Sequence, residues 1–148
     1  MAFSVIIVEA AGHTAAMSQP QAFEYLCDKA NLTKGNWDKQ RRHLSTALNA
    51  VFSIPDVKGL EGKSNGDLLY NFKKTRHASA GIEDLGTSVT LFFYVIMDVA
   101  YIFAVGEHIN ANSYRISHFG QPGTEFAMNA KIVLGDAAQG VRKKGRKH

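Results

Sequence analysis

A single cysteine, Cys27, rules out an internal disulfide and fits a reducing cytoplasm. It stands beside Leu26 in a helical pattern, so a buried structural thiol is the natural reading. The chain has no P-loop, no dinucleotide fingerprint and no Gly-x-Ser-x-Gly elbow. His13, His43, His118 and His148 show no metal-ligand spacing with Cys27 or with carboxylates, so chemistry without metal or cofactor is the expectation. Long apolar runs are missing too. Leu91 to Val105 is the longest candidate, and it carries Asp98 at its centre. A membrane helix needs roughly 20 uninterrupted apolar residues, so no membrane association is expected. No basic region precedes the short apolar run Phe3 to Val8, which makes it a poor signal peptide. No internal repeat is visible.

What remains is an ordinary globular composition, 45% apolar and 20% charged over 148 residues, which reads as one domain. The net charge of +4 is unevenly placed. Five of the 17 Lys and Arg residues, Arg142, Lys143, Lys144, Arg146 and Lys147, fall in the last eight positions. The rest of the chain is close to neutral. Residues 1–134 are therefore expected to fold, and 135–148 to form a basic, poorly ordered tail. Such a tail attracts nucleic acid without sequence preference.

Residues 86–114 organise the chain. Two runs of β-branched and aromatic residues flank Met97-Asp98 and read as a hairpin of central strands, apolar on both faces. Ahead of them, Phe3 to Ala10 reads as a strand and Gly12 to Met17 as a loop. Ser18 reads as the cap of a helix running to about Asn31, with Pro20 in its first turn. Asn36 reads as the cap of a second helix, Trp37 to about Phe52, with Leu44, Ala47, Leu48, Val51 and Phe52 on its apolar face. Lys39, Arg41, Arg42 and His43 crowd its first half, where the helix dipole favours anions, and this mismatch points to a nucleic-acid or acidic-protein contact. Val57 to Gly66 reads as a connector, Asp67 to Lys73 as an alternating strand, and Lys74 to Gly86 as a loop. Arg115 to Phe119 suits a short strand, and Glu125 to Leu134 a short helix or strand. The expected class is α+β. Its mainly antiparallel sheet carries two N-terminal helices on one face, in the order β-α-α-β-β-β with a C-terminal extension.

This order resembles the RelE/ParE superfamily of bacterial toxins. The likeness rests on Pro55-Asp-Val-Lys-Gly-Leu-Glu-Gly-Lys63 with Leu69-Tyr-Asn-Phe-Lys73, on Val99-Ala-Tyr-Ile-Phe-Ala-Val-Gly-Glu-His108, and on Tyr114. The resemblance implies a cytoplasmic toxin held silent by an antitoxin protein. It also implies a metal-independent endoribonuclease acting on mRNA at the ribosome, with Lys73, His108 and Tyr114 at active-site positions. Asn71 stands where a second lysine is usual, and Thr87 or Ser88 where an arginine is usual. Arg76 or His77 would then supply the missing function. The alternatives are a non-enzymatic toxin of the same fold that blocks a protein target such as gyrase, and a non-toxic nucleic-acid-binding or assembly protein.

RNA cleavage by the 2′-OH needs a base, an acid and charge stabilisation of the phosphorane. His108 or His77 can serve as base or acid near neutral pH. Lys73 and Arg76 can hold the phosphate. Tyr114 can donate a hydrogen bond or stack on a base. Lys39, Arg41, Arg42, Lys63, Lys74 and the five cations of the tail complete the expected nucleic-acid-binding set.

Overall fold

The computed structural model describes residues 4–9, 12–29, 37–53, 63–70, 73–81, 85–110, 113–118, 124–127 and 132–134. The fold is α+β. Strands β1 (Ser4–Glu9) and β2 (Gly12–His13) precede helices α1 (Gln19–Lys29) and α2 (Asp38–Phe52). Strands β3 (Lys63–Tyr70), β4 (Lys73–Ala80), β5 (Val89–Ile96), β6 (Val99–Asn110), β7 (Ser113–His118), β8 (Thr124–Ala127) and β9 (Ile132–Leu134) follow. The main sheet order is β2-β1-β6-β5-β4-β3-β9, with β7 on β6 and β8 on β7. The sheet is mixed, because β1 lies parallel to β6 and β9 parallel to β3. No helix among the described residues is long and apolar enough to cross a membrane.

The expected central hairpin is present. Ile96 pairs with Val99 across the two-residue turn Met97-Asp98. Met97 takes a left-handed φ of 55°. Two-residue hairpin turns need this backbone sign, and a non-glycine residue accepts it at roughly 1–2 kcal/mol. The long β5–β6 pairing and the burial of Leu91, Phe92, Phe93 and Ile102 offset that cost. Each such side chain contributes about 1.5–3 kcal/mol on leaving water.

Both helices pack on one sheet face. Val5, Ile7, Ala78, Ala80, Val89, Leu91, Phe93, Ala100 and Ile102 meet Leu26 and Cys27 of α1 and Leu44, Leu48 and Val51 of α2. Cys27 is buried as expected, and loss of water chiefly pushes its thiol pKa up. The start of α1 is a reciprocal cap. Ser18 Oγ accepts the Gln21 N–H at 3.4 Å, and Gln21 Oε1 accepts the Ser18 N–H at 2.9 Å. The end of α1 is tied to β1 by Glu9, which accepts from the Tyr25 hydroxyl and pairs with Lys29 Nζ at 2.9 Å. The Tyr25 hydrogen bond, and then Lys29, hold the Glu9 carboxyl below its ordinary range.

Several boundaries differ from expectation. Lys74 to Ala80 is strand β4, because its helix-facing residues are the small Ala78 and Ala80, which let α2 approach closely. A run read as one strand, Asp67 to Lys73, straddles a hairpin in which Tyr70 pairs with Lys73. Strand β3 begins at Lys63, inside the expected connector. The expected N-terminal loop contains the short strand β2, with Met17 bridging Val5. Helix α1 ends at Lys29, and Trp37 holds the cap position of α2 with no side-chain cap bond. Asn36, Asn71, Phe72 and the tail 135–148 lie outside the described residues. The expected order with three strands after the helices is thereby corrected to six consecutive antiparallel strands, β3 to β8, with β9 returning parallel to β3.

Candidate functional site around His108

The site begins with a bulge. Phe93 pairs with Ile102 and Phe92 with Ala104, so Phe103 is an extra residue in β6. Strand side chains alternate with a period of two, and one extra residue reverses which face follows. Ala100 and Ile102 therefore face the helices, whereas Ala104, Gly106 and His108 share the opposite face with Phe92 and Thr90. Without the bulge, His108 would point into the helix-covered core.

On that opposite face Ser88 and Thr90 lie at the His108 end, and Thr75 and His77 lie farther along it on β4. Ser88, Thr90 and Thr75 are fully or almost fully buried, and His77 and His108 are buried as well. Ser79 and Thr90, cross-strand partners on β4 and β5, share a hydrogen bond of 2.8 Å. Ser88 Oγ accepts the backbone N–H of His108 at 3.0 Å. His108 Nδ1 stands 3.2 Å from the carbonyl oxygen of Asn110. A carbonyl oxygen only accepts, so Nδ1 is the donor in this contact. Tyr114 on β7 is the cross-strand partner of His108, so β7 brings these two expected site residues side by side. Beside them Ile109 and Asn110 are exposed. Gly106 lets the strands close here, because a Cβ on it would meet Arg115 O at 2.6 Å and Phe92 Cε2 at 2.8 Å.

The other expected catalytic residues lie elsewhere. His77 is paired with Phe92, and their rings contact with centroids 6.4 Å apart. With ~3.4 Å per residue along a strand and ~4.8 Å between strands, His77 and His108 lie roughly 15 Å apart. The same spacings put Lys73, at the far end of β4, roughly 25–30 Å from His108. Arg76 is exposed and, as the strand neighbour of His77, points to the other face. A single constellation of Lys73, Arg76, His77, His108 and Tyr114 is therefore not formed. Lys63 pairs with His77 and Lys74 with Leu69, at the β3–β4 edge. On α2, Lys39 and Arg42 are exposed, and Arg41 is paired with Asp38. Asp38 in the first turn gives the helix dipole the anion that the basic run withholds. Arg142, Lys143, Lys144, Arg146 and Lys147 lie outside the described residues.

Ser88 and Asn110 were missed as supports of a histidine. Ser88 and Thr90, polar residues at alternate positions entering an apolar strand, were the available signal. Among the described residues no group of three or more His, Cys, Asp or Glu side chains is placed to hold a metal ion. No protein-family model, no curated protein and no solved structure matches the chain.

Proposed function

We propose that this chain is a cytoplasmic RelE/ParE-like toxin that cleaves mRNA on the ribosome, without a metal, at the rim formed by His108 and Tyr114. An antitoxin protein would hold it silent. The observation that carries the reading is the 3.2 Å contact of His108 Nδ1 with the Asn110 carbonyl, which supports a proton on Nδ1 and a base role for Nε2. In the proposed step the 2′-OH gives its proton to Nε2, and the 2′-oxygen attacks phosphorus. The bond to the 5′-oxygen breaks, that oxygen takes a proton from solvent water, and the proton on Nε2 returns to solvent. The products are a 2′,3′-cyclic phosphate and a 5′-hydroxyl. The Asn110 carbonyl also stabilises the imidazolium formed on the way. Lys73 plays no part at this distance.

The dispersal of Lys73 and His77 away from His108 favours a second reading, a toxin of the same architecture that blocks a protein target. Induced expression in a bacterial host followed by primer extension on mRNA separates the two. Discrete cuts with wild type, lost in a folded His108→Ala variant, support the nuclease. Growth arrest without cuts supports the second reading. Normal growth with abundant folded protein removes both.

A further inference from the structure

A groove of about 700 Å³ lies between the β2–α1 connection and α1. Ala15, Met17, Pro20 and Tyr25 line it with apolar surface, and Glu24 and Asp28 add two exposed carboxylates. The two acids are four residues apart and so share one helix face. Glu9 nearby is already engaged by Tyr25 and Lys29. Glu24 and Asp28, by contrast, make no hydrogen bond or ion pair with the described residues. Asp28 also sits in the last turn of α1, where the helix dipole disfavours an anion. A cation brought from outside would relieve both conditions.

The spacing narrows the occupant. Four helical residues rise about 6 Å, and alternate residues of an extended chain are about 6.8 Å apart. We propose that this groove binds an extended segment of a partner protein carrying Lys or Arg at alternate positions. The aliphatic stems lie on Met17, Pro20 and the Tyr25 ring, and the charged heads reach Glu24 and Asp28. The Tyr25 ring already accepts one ammonium group, with Lys29 Nζ 5.5 Å from its centroid.

The test is fluorescence anisotropy of the full chain with a labelled octapeptide of alternating Lys and Ala. A second probe has the same composition with its lysines in one block. The alternating peptide should bind in a salt-sensitive way and more tightly than the blocked one. Glu24→Gln with Asp28→Asn should weaken it about tenfold, the loss of two ion pairs. Both positions are exposed, so circular dichroism should show an unchanged fold. Equal affinity for the two peptides, or for wild type and the double variant, overturns the proposal. Self-association of the chain that the double variant abolishes also overturns it, and assigns the groove to residues 141–148 of a second copy.

Discussion

The imidazole of His43 on α2 occupies the space that a Cβ on Gly81 would need. Gly81 follows β4 with a φ of +76°, and His43 Nδ1 lies 2.7 Å from the Thr87 carbonyl oxygen just ahead of β5. Helix α2 is thus pinned over both ends of the β4–β5 connection. Gly81→Ala meets two penalties, the left-handed backbone and the overlap with the ring. Together they should cost about 2–5 kcal/mol. A urea titration should show the midpoint fall. His43→Ala combined with Gly81→Ala should recover the steric part alone, a coupling expected only of residues in contact. An unchanged midpoint for Gly81→Ala would show that His43 does not lie there.

Ser88 supports His108 through the backbone. Replacing Ser88 by Ala leaves the buried His108 N–H without its acceptor, at a cost of about 1–3 kcal/mol. The fold should survive this, because the apolar pairing of β5 and β6 is untouched. Any RNA cleavage should drop with it, while Ser88→Thr, which keeps the hydroxyl, should restore part of both. Equal losses in the Ala and Thr variants would mean that the site suffers from a packing change and not from the lost acceptor.

The tie between α1 and β1 predicts a pH dependence. Glu9 has its carboxyl pKa lowered by Tyr25 and Lys29, from an ordinary value of 4.5. Its contribution to stability is therefore present above pH 4.5 and lost as pH falls through the lower folded value. Tyr25 is raised from 10.0, first by burial and then by Glu9. Its contribution is present below pH 10.0 and lost as pH rises through the raised value. Wild type should exceed Glu9→Gln in stability by a constant margin near neutrality, and that margin should close in acid. Thermal melts across pH would check it. A gap that persists undiminished below the glutamate range would show that the carboxylate charge is not what matters.

Much of the frame was legible in the sequence. Ser18 with Pro20 announces the start of α1, and the two apolar runs around Met97-Asp98 announce the central hairpin. Strand β4 was not legible, because Ala78 and Ala80 are small for the sake of α2, and a hydrophobicity pattern reads such residues as loop. Once β4 is missed, Lys73 seems to end a strand near the loop of Arg76 and His77. In the fold it opens β4, eight residues before Gly81. The face of His108 was not legible either. It depends on the extra residue Phe103, and a bulge inside a continuous apolar run leaves no mark in the alternation. The resemblance selected His108 and Tyr114, which the sheet pairs, and Lys73, which the sheet sends to its far end.

The sharpest test of the site follows from that separation. Resemblance alone expects Lys73→Ala to impair cleavage as a lost phosphate cation. At roughly 25–30 Å from His108 along the sheet, Lys73 cannot touch the phosphate attacked there. Lys73→Ala should therefore cleave mRNA within about twofold of wild type, as a change far from the chemistry does. His108→Ala should lower cleavage by about 10²–10⁴-fold, the usual worth of a positioned general base. His108→Gln keeps a hydrogen bond to Asn110 but offers no base, and it should be as inactive as His108→Ala. Single-turnover cleavage of a ribosome-bound mRNA, with folding checked by circular dichroism, measures all three. Loss of cleavage in Lys73→Ala with full activity in His108→Ala would move the active site to the β3–β4 edge and overturn the assignment at His108.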